Sequence, residues 1–435
     1  MHSSVQDFFS FVQASPTAFH AVRETARILE KAGYAPLSEA EGWRLRPGDK
    51  RYVTRNGSAL IAFQAPKEFP LSFRIAAAHA DSPTLKLKEN YEDAGASYVR
   101  LNVEKYGGLI LSTWLDRPLS VAGRLIVRID GALQSRLVDL ERDAVLIPNL
   151  PIHFNRTVND GYAFNPQTDM LPLYGDAAAK GKLREELAGR AQVSPEDVLG
   201  GDLFLYSRVP GSVWGAENEY FSCGRIDDLE CAYTALAAFL RAESEGPHMN
   251  VLALFDNEEV GSGSKQGADS TLLGDTLFRA GEALGLSAAE ARAAIASGFM
   301  ASADNAHALH PNHPQKYDAQ NRVYMNGGVV IKHSANQKYT TDGVSSALFT
   351  EVCRRAGVPC QHFANRSDML GGSTLGNIAN THVSMATVDI GLAQLAMHSS
   401  YETAGSRDIG FMTDALKAFY ELPLVMKRDG EFSLL

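Results

Sequence analysis

Apolar residues recur along the chain at two spacings. Phe19, Val22, Ala26 and Leu29 lie three or four positions apart, which predicts a helix with one buried face, and Gly33 marks its end. Comparable patterns predict helices over 5–12, 180–191, 227–242, 288–297, 344–356 and 409–422. Short apolar runs predict buried strands over 58–64, 73–78, 248–255, 298–303, 328–333 and 385–391.

The order of these elements predicts the fold class. Strands and helices alternate through most of the chain, which is typical of an α/β fold with a mixed, mainly parallel sheet flanked by helices. Residues 88–215 differ, because runs at 124–129 and 133–140 flank Asp130-Gly131, a pair typical of a hairpin turn. We therefore predict one domain formed by 1–87 and 216–435, with a β-rich domain, 88–215, inserted into it.

Composition narrows the functional classes. The 435 residues are 45% hydrophobic and 21% charged, and the net charge is −10. Because phosphates are bound by basic surfaces, this charge argues against a nucleic-acid partner and against an acidic membrane surface. The four cysteines show no close pairing, and we find neither a bilayer-length apolar run nor a signal-peptide pattern. These features predict a cytoplasmic protein.

Acidic residues and histidines follow several of the predicted strands. His79 and Asp81 come directly after the strand at 73–78, in the sequence HADSP. The other candidates at strand ends or at the start of a helix are Asp227, Asp228, Glu258, Glu259, Asp304 and His398. In open α/β sheets, ligands bind beyond the carboxyl ends of the strands. Taken singly, each residue also has an ordinary explanation as a turn, a helix cap, a solvated acid or a core histidine.

The combination of these residues favours a metal site. Several carboxylates that converge without basic partners repel one another and lose hydration, whereas a divalent cation removes that conflict. Imidazole and carboxylate ligands together suit zinc. Two ions that share a bridging carboxylate would need about five protein ligands, and the candidates are numerous enough to supply them.

Six segments resemble, in this order, the motifs of the aspartyl aminopeptidase family. They are HADSP, RIDDL, DNEEVGS, SADNAHALHPNH, VVIKHSANQKY and GLAQLAMHS, and the resemblance extends over essentially the whole chain. It implies a dizinc aminopeptidase that acts on peptides, with two Zn²⁺ per subunit that Co²⁺ or Mn²⁺ could replace. It also implies that the inserted domain mediates dimerisation and that the dimers assemble into a dodecamer.

The resemblance assigns roles to the candidates. It implies that His79 and Asp304 hold one zinc, that Glu259 and His398 hold the other, and that Asp227 bridges both. Glu258 would be the general base, and Asp81 would orient the imidazole of His79. The family often has asparagine where this chain has Asp228, so the choice of bridging residue between Asp227 and Asp228 stays open. In the wider clan the peptide bond after the bridging aspartate is cis, which predicts a cis bond here.

The resemblance also implies how the substrate is recognised. Lys332 and His307 would face the side chain of the first residue of the substrate, which predicts a preference for N-terminal Asp or Glu. His153 would reach the active site of a neighbouring subunit. Three alternatives are kept: a preference for neutral or apolar residues, a dizinc carboxypeptidase or deacylase, and a non-catalytic scaffold with the same fold.

Overall fold

The largest sheet is mixed and has a parallel centre. The computed structural model describes residues 2–67, 72–243, 246–369 and 371–434. Within these residues nine strands form the sheet, in the spatial order Ala35–Leu37, Lys50–Arg55, Ala59–Gln64, His248–Phe255, Ser72–His79, Phe299–Ala303, Ala386–Gly391, Val329–His333 and Cys360–Ala364. The four strands from His248–Phe255 to Ala386–Gly391 are mutually parallel, and the strands on either side of them are antiparallel to their inner neighbours. The predicted α/β class with a mixed sheet is confirmed.

Helices cover both faces of this sheet. Along the strand Ser72–His79, Ile75 and Ala77 belong to the hydrophobic core on one face, and Ala76 and Ala78 belong to the core on the other. Such a strand is apolar at nearly every position, because both of its faces are buried. The α-helices of the described residues are His2–Gln13, Ala18–Lys31, Pro166–Asp169, Lys182–Ala191, Ile226–Arg241, Leu272–Ala283, Ala288–Ala296, Gly343–Ala356, Leu375–His382 and Asp408–Glu421.

A second sheet is built within residues 84–207. Its strands pair antiparallel in the order Ala132–Asp139, Leu119–Ile129, Val198–Ser207, Thr84–Ala94, Tyr98–Tyr106 and Leu173–Asp176. It has a hydrophobic core of its own, to which Leu183 and Leu187 of the helix Lys182–Ala191 belong. The predicted hairpin is present, with Ile129 paired to Ala132 and positive φ at Asp130 and Gly131. The domain boundaries at 88 and 215 stay a prediction, and the strand Thr84–Ala94 runs across the first of them.

Two smaller sheets complete the described strands. One has the order Ser212–Trp214, Tyr220–Cys223, Glu402–Gly405, Ala393–Leu395 and Ala306–His307, and the other pairs Leu424–Arg428 with Glu431–Leu434. The first of these brings the segment after Ala386–Gly391 alongside the start of the helix Ile226–Arg241, because Cys223 pairs with Glu402. None of the described helices is long and apolar enough to cross a bilayer.

Candidate metal centre

The candidate ligands lie beyond one edge of the large sheet. Parallel strands end on the same side, so residues that follow their carboxyl ends meet there. The four parallel strands contribute in this way: His79 ends Ser72–His79, Glu258 and Glu259 follow His248–Phe255, Asp304 follows Phe299–Ala303, and His398 lies in the loop after Ala386–Gly391 and Ala393–Leu395. Sequence reasoning therefore placed these ligand candidates on the correct elements.

The donor atoms form adjoining groups whose members lie within 4.8 Å of one another. The groups are His79 with Asp227, Asp228 and Asp304; Asp227 with Glu259 and His398; and His79 with Glu258 and Glu259. Nε2 of His398 lies 3.3 Å from Oδ2 of Asp227, and Nε2 of His79 lies 3.5 Å from Oδ1 of the same carboxylate. Asp227 therefore presents one oxygen towards each histidine.

Asp227 and Asp228 have different surroundings. The peptide bond between them is cis, as the resemblance implies, and both side chains are buried at the start of the helix Ile226–Arg241. Oδ2 of Asp228 accepts a hydrogen bond from the backbone N–H of His79 at 3.1 Å. Asp227 belongs to two of the donor groups, whereas Asp228 belongs to one. Asp227 is thus the better placed of the two to contact a pair of ions.

Both carboxylate oxygens of Asp81 contact neighbouring groups of the centre. Nδ1 of His79 lies 3.1 Å from the backbone oxygen of Asp81 and 3.3 Å from Oδ1 of the same residue. The backbone N–H groups of Glu258 and Glu259 donate to Oδ1 and Oδ2 of Asp81, both at 3.2 Å. The Tyr106 hydroxyl donates to Oδ2 at 2.7 Å. Asp81 therefore links the His79 ring to the loop that carries both glutamates.

The polar atoms of the centre fit a divalent cation. Within the described residues, Oδ1 of Asp227, Oδ1 of Asp228 and Oε1 of Glu259 are buried and accept no hydrogen bond. Burial raises the pKa of Glu258 to about 8. The charge of His79 acts against this increase, and the charge of Asp304 adds to it. Unmatched buried acceptors of this kind are costly in a protein without a cation. Imidazoles beside carboxylates are the donor set that zinc takes, so the residues present fit zinc.

Lys332 is buried beside the centre rather than snorkelling to water. Its side chain is 3% exposed, and its Nζ lies 3.5 Å from Oδ2 of Asp304. It donates to the backbone oxygen of Asn305 at 3.2 Å and lies 5.2 Å from the centre of the Tyr339 ring. Burial alone would lower the pKa of Lys332, but the neighbouring Asp304 charge holds it above the ordinary lysine value.

His307 and His153, the two remaining predicted residues, differ in how close they lie to Lys332 and the metal centre. His307 is exposed, packs edge-on against Phe363 and lines a cavity of about 220 Å³ together with His398. Phe363 is paired in register with Lys332, which places His307 close to that lysine. His153 is exposed, and among the described residues no hydrogen bond or ion pair joins it to the centre.

Tyr106 and Glu402 are among the residues contacting the centre that sequence reasoning missed. Tyr106 arrives from the second sheet, and no local motif marks it as a partner of Asp81. Glu402 lies four residues after His398 and accepts the backbone N–H of that histidine at 2.8 Å. No motif in the sequence marks Glu402 either, because its burial beside the centre follows from the fold.

Comparison with known proteins assigns the chain to a family. A family model described as "Aminopeptidase I zinc metalloprotease (M18)" matches residues 11–420. The chain belongs to the M18 family of zinc aminopeptidases. It is 43% identical over 425 residues to "Probable M18 family aminopeptidase 2" of Clostridium novyi (strain NT), which covers 96% of this chain and 98% of that protein. The resemblance to this family and the hydrolase class, a metalloaminopeptidase, are confirmed.

Solved structures of M18 proteins share the fold. The cryo-EM structure of the Ape4 and Nbr1 complex superimposes with a TM-score of 0.94 at 35% identity, covering 97% of this chain and 86% of that one. A structure described as the "S. cerevesiae mApe1 dodecamer" gives a TM-score of 0.84 at 28% identity, covering 96% of both chains. The assignment favours the aminopeptidase hypothesis over the carboxypeptidase, deacylase and scaffold alternatives.

Proposed function

We propose that this M18 aminopeptidase holds two zinc ions and releases N-terminal Asp or Glu from peptides. The observation that carries the proposal is the position of the Asp227 carboxylate, with one oxygen facing His79 and the other facing His398. One ion would be held by His79 and Asp304 and the other by Glu259 and His398, with Asp227 contacting both. Co²⁺ or Mn²⁺ could occupy either site, because these ions accept the same nitrogen and oxygen donors.

The side chains of the centre have separate roles in the reaction. When bound, zinc lowers the pKa of a coordinated water and polarises a carbonyl group. Glu258 accepts the proton of the attacking water and delivers it to the leaving amine, as a general base and then a general acid. The neighbouring Glu259 faces His398 at 3.5 Å instead, so the two adjacent glutamates have separate tasks. Asp81 holds the ring of His79 and the backbone of both glutamates in one arrangement.

The buried cation beside the centre supports the acidic preference. Lys332 is buried and its pKa lies above the ordinary lysine value, so its charge favours an anionic group nearby and disfavours an apolar one. In the metal-free protein the Asp304 carboxylate neutralises the charge of Lys332, but a zinc ion would be held by the same carboxylate and would weaken this ion pair. A carboxylate in the side chain of the substrate would then neutralise Lys332. His307, at the edge of the adjoining cavity, would close the pocket on its exposed side.

We expect Lys332→Met to abolish most of the acidic preference. Removing one charge-assisted contact costs about 1.5–3 kcal/mol, so the ratio of kcat/KM for aspartyl over leucyl substrates should fall by about 10–150-fold. The measurement compares chromogenic aspartyl, glutamyl and leucyl substrates across wild type and variant. Lys338→Met removes an exposed lysine from the same segment and should leave the ratio unchanged. A wild type that prefers leucyl substrates would establish the apolar alternative.

An exposed apolar segment around His153 supports assembly into homo-oligomers. Leu150, Ile152 and Phe154 are 55%, 49% and 79% exposed, although side chains of this kind are usually buried. Covering them with a second copy would bury this surface and bring His153 to another subunit. The solved mApe1 structure is a dodecamer, and we propose dimers that assemble into a dodecamer for this chain as well.

We expect mixed oligomers of two inactive variants to recover activity. If His153 serves the active site of a neighbour, subunits carrying His153→Ala and subunits carrying Glu258→Gln complement each other, because some hybrid sites then contain both native residues. Activity of the co-assembled mixture should exceed the sum of the two separate variants. Absence of recovery, in oligomers shown by mass spectrometry to contain both chains, would place His153 outside the active site.

A further inference from the structure

Glu402 joins two segments that carry candidate ligands. Its side chain is 1% exposed, and it begins the strand Glu402–Gly405. Oε2 accepts the backbone N–H groups of Ile226 at 2.6 Å and Asp227 at 3.2 Å. Oε1 accepts the backbone N–H of His398 at 2.8 Å and the side-chain amide of Gln394 at 3.3 Å. One carboxylate therefore holds the backbones of Asp227 and His398 in a fixed relation.

Neither of these backbone positions is set by regular secondary structure. His398 has a positive φ of 68°, which is uncommon outside glycine, and Asp227 has non-helical angles at the start of its helix. Each oxygen of the Glu402 side chain accepts two hydrogen bonds from N–H groups, so Glu402 is well suited to hold both segments. The imidazole of His398 is held on its other side, where Nδ1 lies 2.8 Å from the backbone oxygen of Gly108. This arrangement leaves Nε2 directed at Asp227.

We propose that Glu402 is a positioning residue that sets the separation of Asp227 and His398 and thereby the affinity of the ion they share with Glu259. It contacts only the backbone of the two ligands, so it acts through them and not on the substrate. A carboxylate is required because its two oxygens serve four donors, whereas glutamine has one oxygen and would direct its NH₂ group at backbone N–H groups. The inference rests on the two-ion centre proposed above.

Zinc affinity of Glu402→Gln in the full-length chain tests the proposal. Changes to residues that orient metal ligands cost about 10–100-fold in metal affinity, so the ion shared by Asp227, Glu259 and His398 should bind that much more weakly. The ion held by His79 and Asp304 should lose less affinity. The affinities are measured by competition with a chromogenic chelator. The absorption spectrum of the cobalt-substituted protein reports separately on the geometry around His398, and it should change in the variant even where both sites are filled.

Asp408→Asn is the matched control. Asp408 is also fully buried and accepts two backbone N–H groups, from Asn326 at 2.5 Å and Gly328 at 3.0 Å, but none of these carries a candidate ligand. We expect Asp408→Asn to lower the thermal stability while both zinc affinities stay at wild-type values. Equal weakening of zinc binding in Asp408→Asn and Glu402→Gln would overturn the proposal, because the effect would then be general destabilisation.

Gln394→Met keeps the proposal testable if Glu402→Gln does not fold. It removes one donor to Oε1 of Glu402 and leaves every candidate ligand in place, and within the described part of the chain the Oε1 of Gln394 itself has no hydrogen-bond partner. We expect a smaller loss, a few-fold, at the same ion. Wild-type affinities in all folded variants would overturn the role of Glu402. A wild-type chain that binds a single zinc would instead overturn the two-ion proposal on which the inference rests.

Discussion

Replacing Glu258 with glutamine is expected to lower kcat by about 10²–10⁴-fold, which is the range for loss of a general base, while zinc content stays at the wild-type level. Glutamine keeps the size of the side chain but cannot take a proton from water. The backbone N–H of residue 258 donates to Asp81, so the position of the loop should survive the change. The measurement combines steady-state kinetics with the zinc content of the same preparation.

Glu259→Gln is the matched control for this result, because it makes the same chemical change at the adjacent residue. The Glu259 side chain is buried and its Oε2 faces His398, so this variant should lose bound zinc. Near-normal turnover in Glu258→Gln, or loss of zinc from Glu258→Gln with retention in Glu259→Gln, would show that the two roles are wrongly assigned.

Replacing Asp227 with asparagine is expected to weaken the binding of both zinc ions by more than about 10²-fold, the upper end of the range for changes that merely orient a ligand. The asparagine side chain is neutral and offers one oxygen in place of two, so it could no longer face both His79 and His398 with an oxygen. The two affinities are measured by chelator competition, and activity should fall in parallel.

Asp228→Asn resolves the choice between the two aspartates. Asp228 lies with His79 and Asp304, away from the group that contains His398, and it accepts the backbone N–H of His79. We expect this variant to affect one ion at most. If Asp228→Asn weakened both ions and Asp227→Asn weakened only one, the bridging role would belong to Asp228.

The parts of the fold that were predictable from sequence are those in which local pattern and burial agree. The strand His248–Phe255 is buried at every position on both faces, and its largely apolar sequence predicted its bounds correctly. The candidate ligands were predictable for a related reason, since chemistry at the edge of a parallel sheet must come from residues that directly follow strand ends, such as His79 and Asp304.

Elements with weak or mixed patterns were missed. Lys50–Arg55 carries charged residues at three of its positions, and Leu272–Ala283 contains Gly274 and Gly281, which lower helix propensity. The apolar spacing from Phe19 to Leu29 did not mark where its helix begins, which is at Ala18, after Thr17 in extended conformation. Tertiary packing determines whether such a segment forms a helix or strand and where it begins, and local propensity contains no information about that packing.

Residues that reach the centre from distant elements were equally beyond local reasoning. Tyr106 contacts Asp81 because the second sheet folds back against the loop after Ser72–His79. Glu402 contacts Asp227 because the strand it begins pairs with Tyr220–Cys223. Both placements depend on pairings between segments far apart in sequence, which no spacing of residues in the chain specifies.

Zinc titration of the metal-free protein tests directly whether catalysis depends on two bound ions. Zinc is added in increments while bound metal and the release of free amino acid from a chromogenic aspartyl substrate are followed in the same sample. A two-zinc centre predicts no release without metal, binding of two ions per chain, and full activity only as the second site fills. Full activity at one ion per chain, or release of amino acid from zinc-free protein, would contradict it.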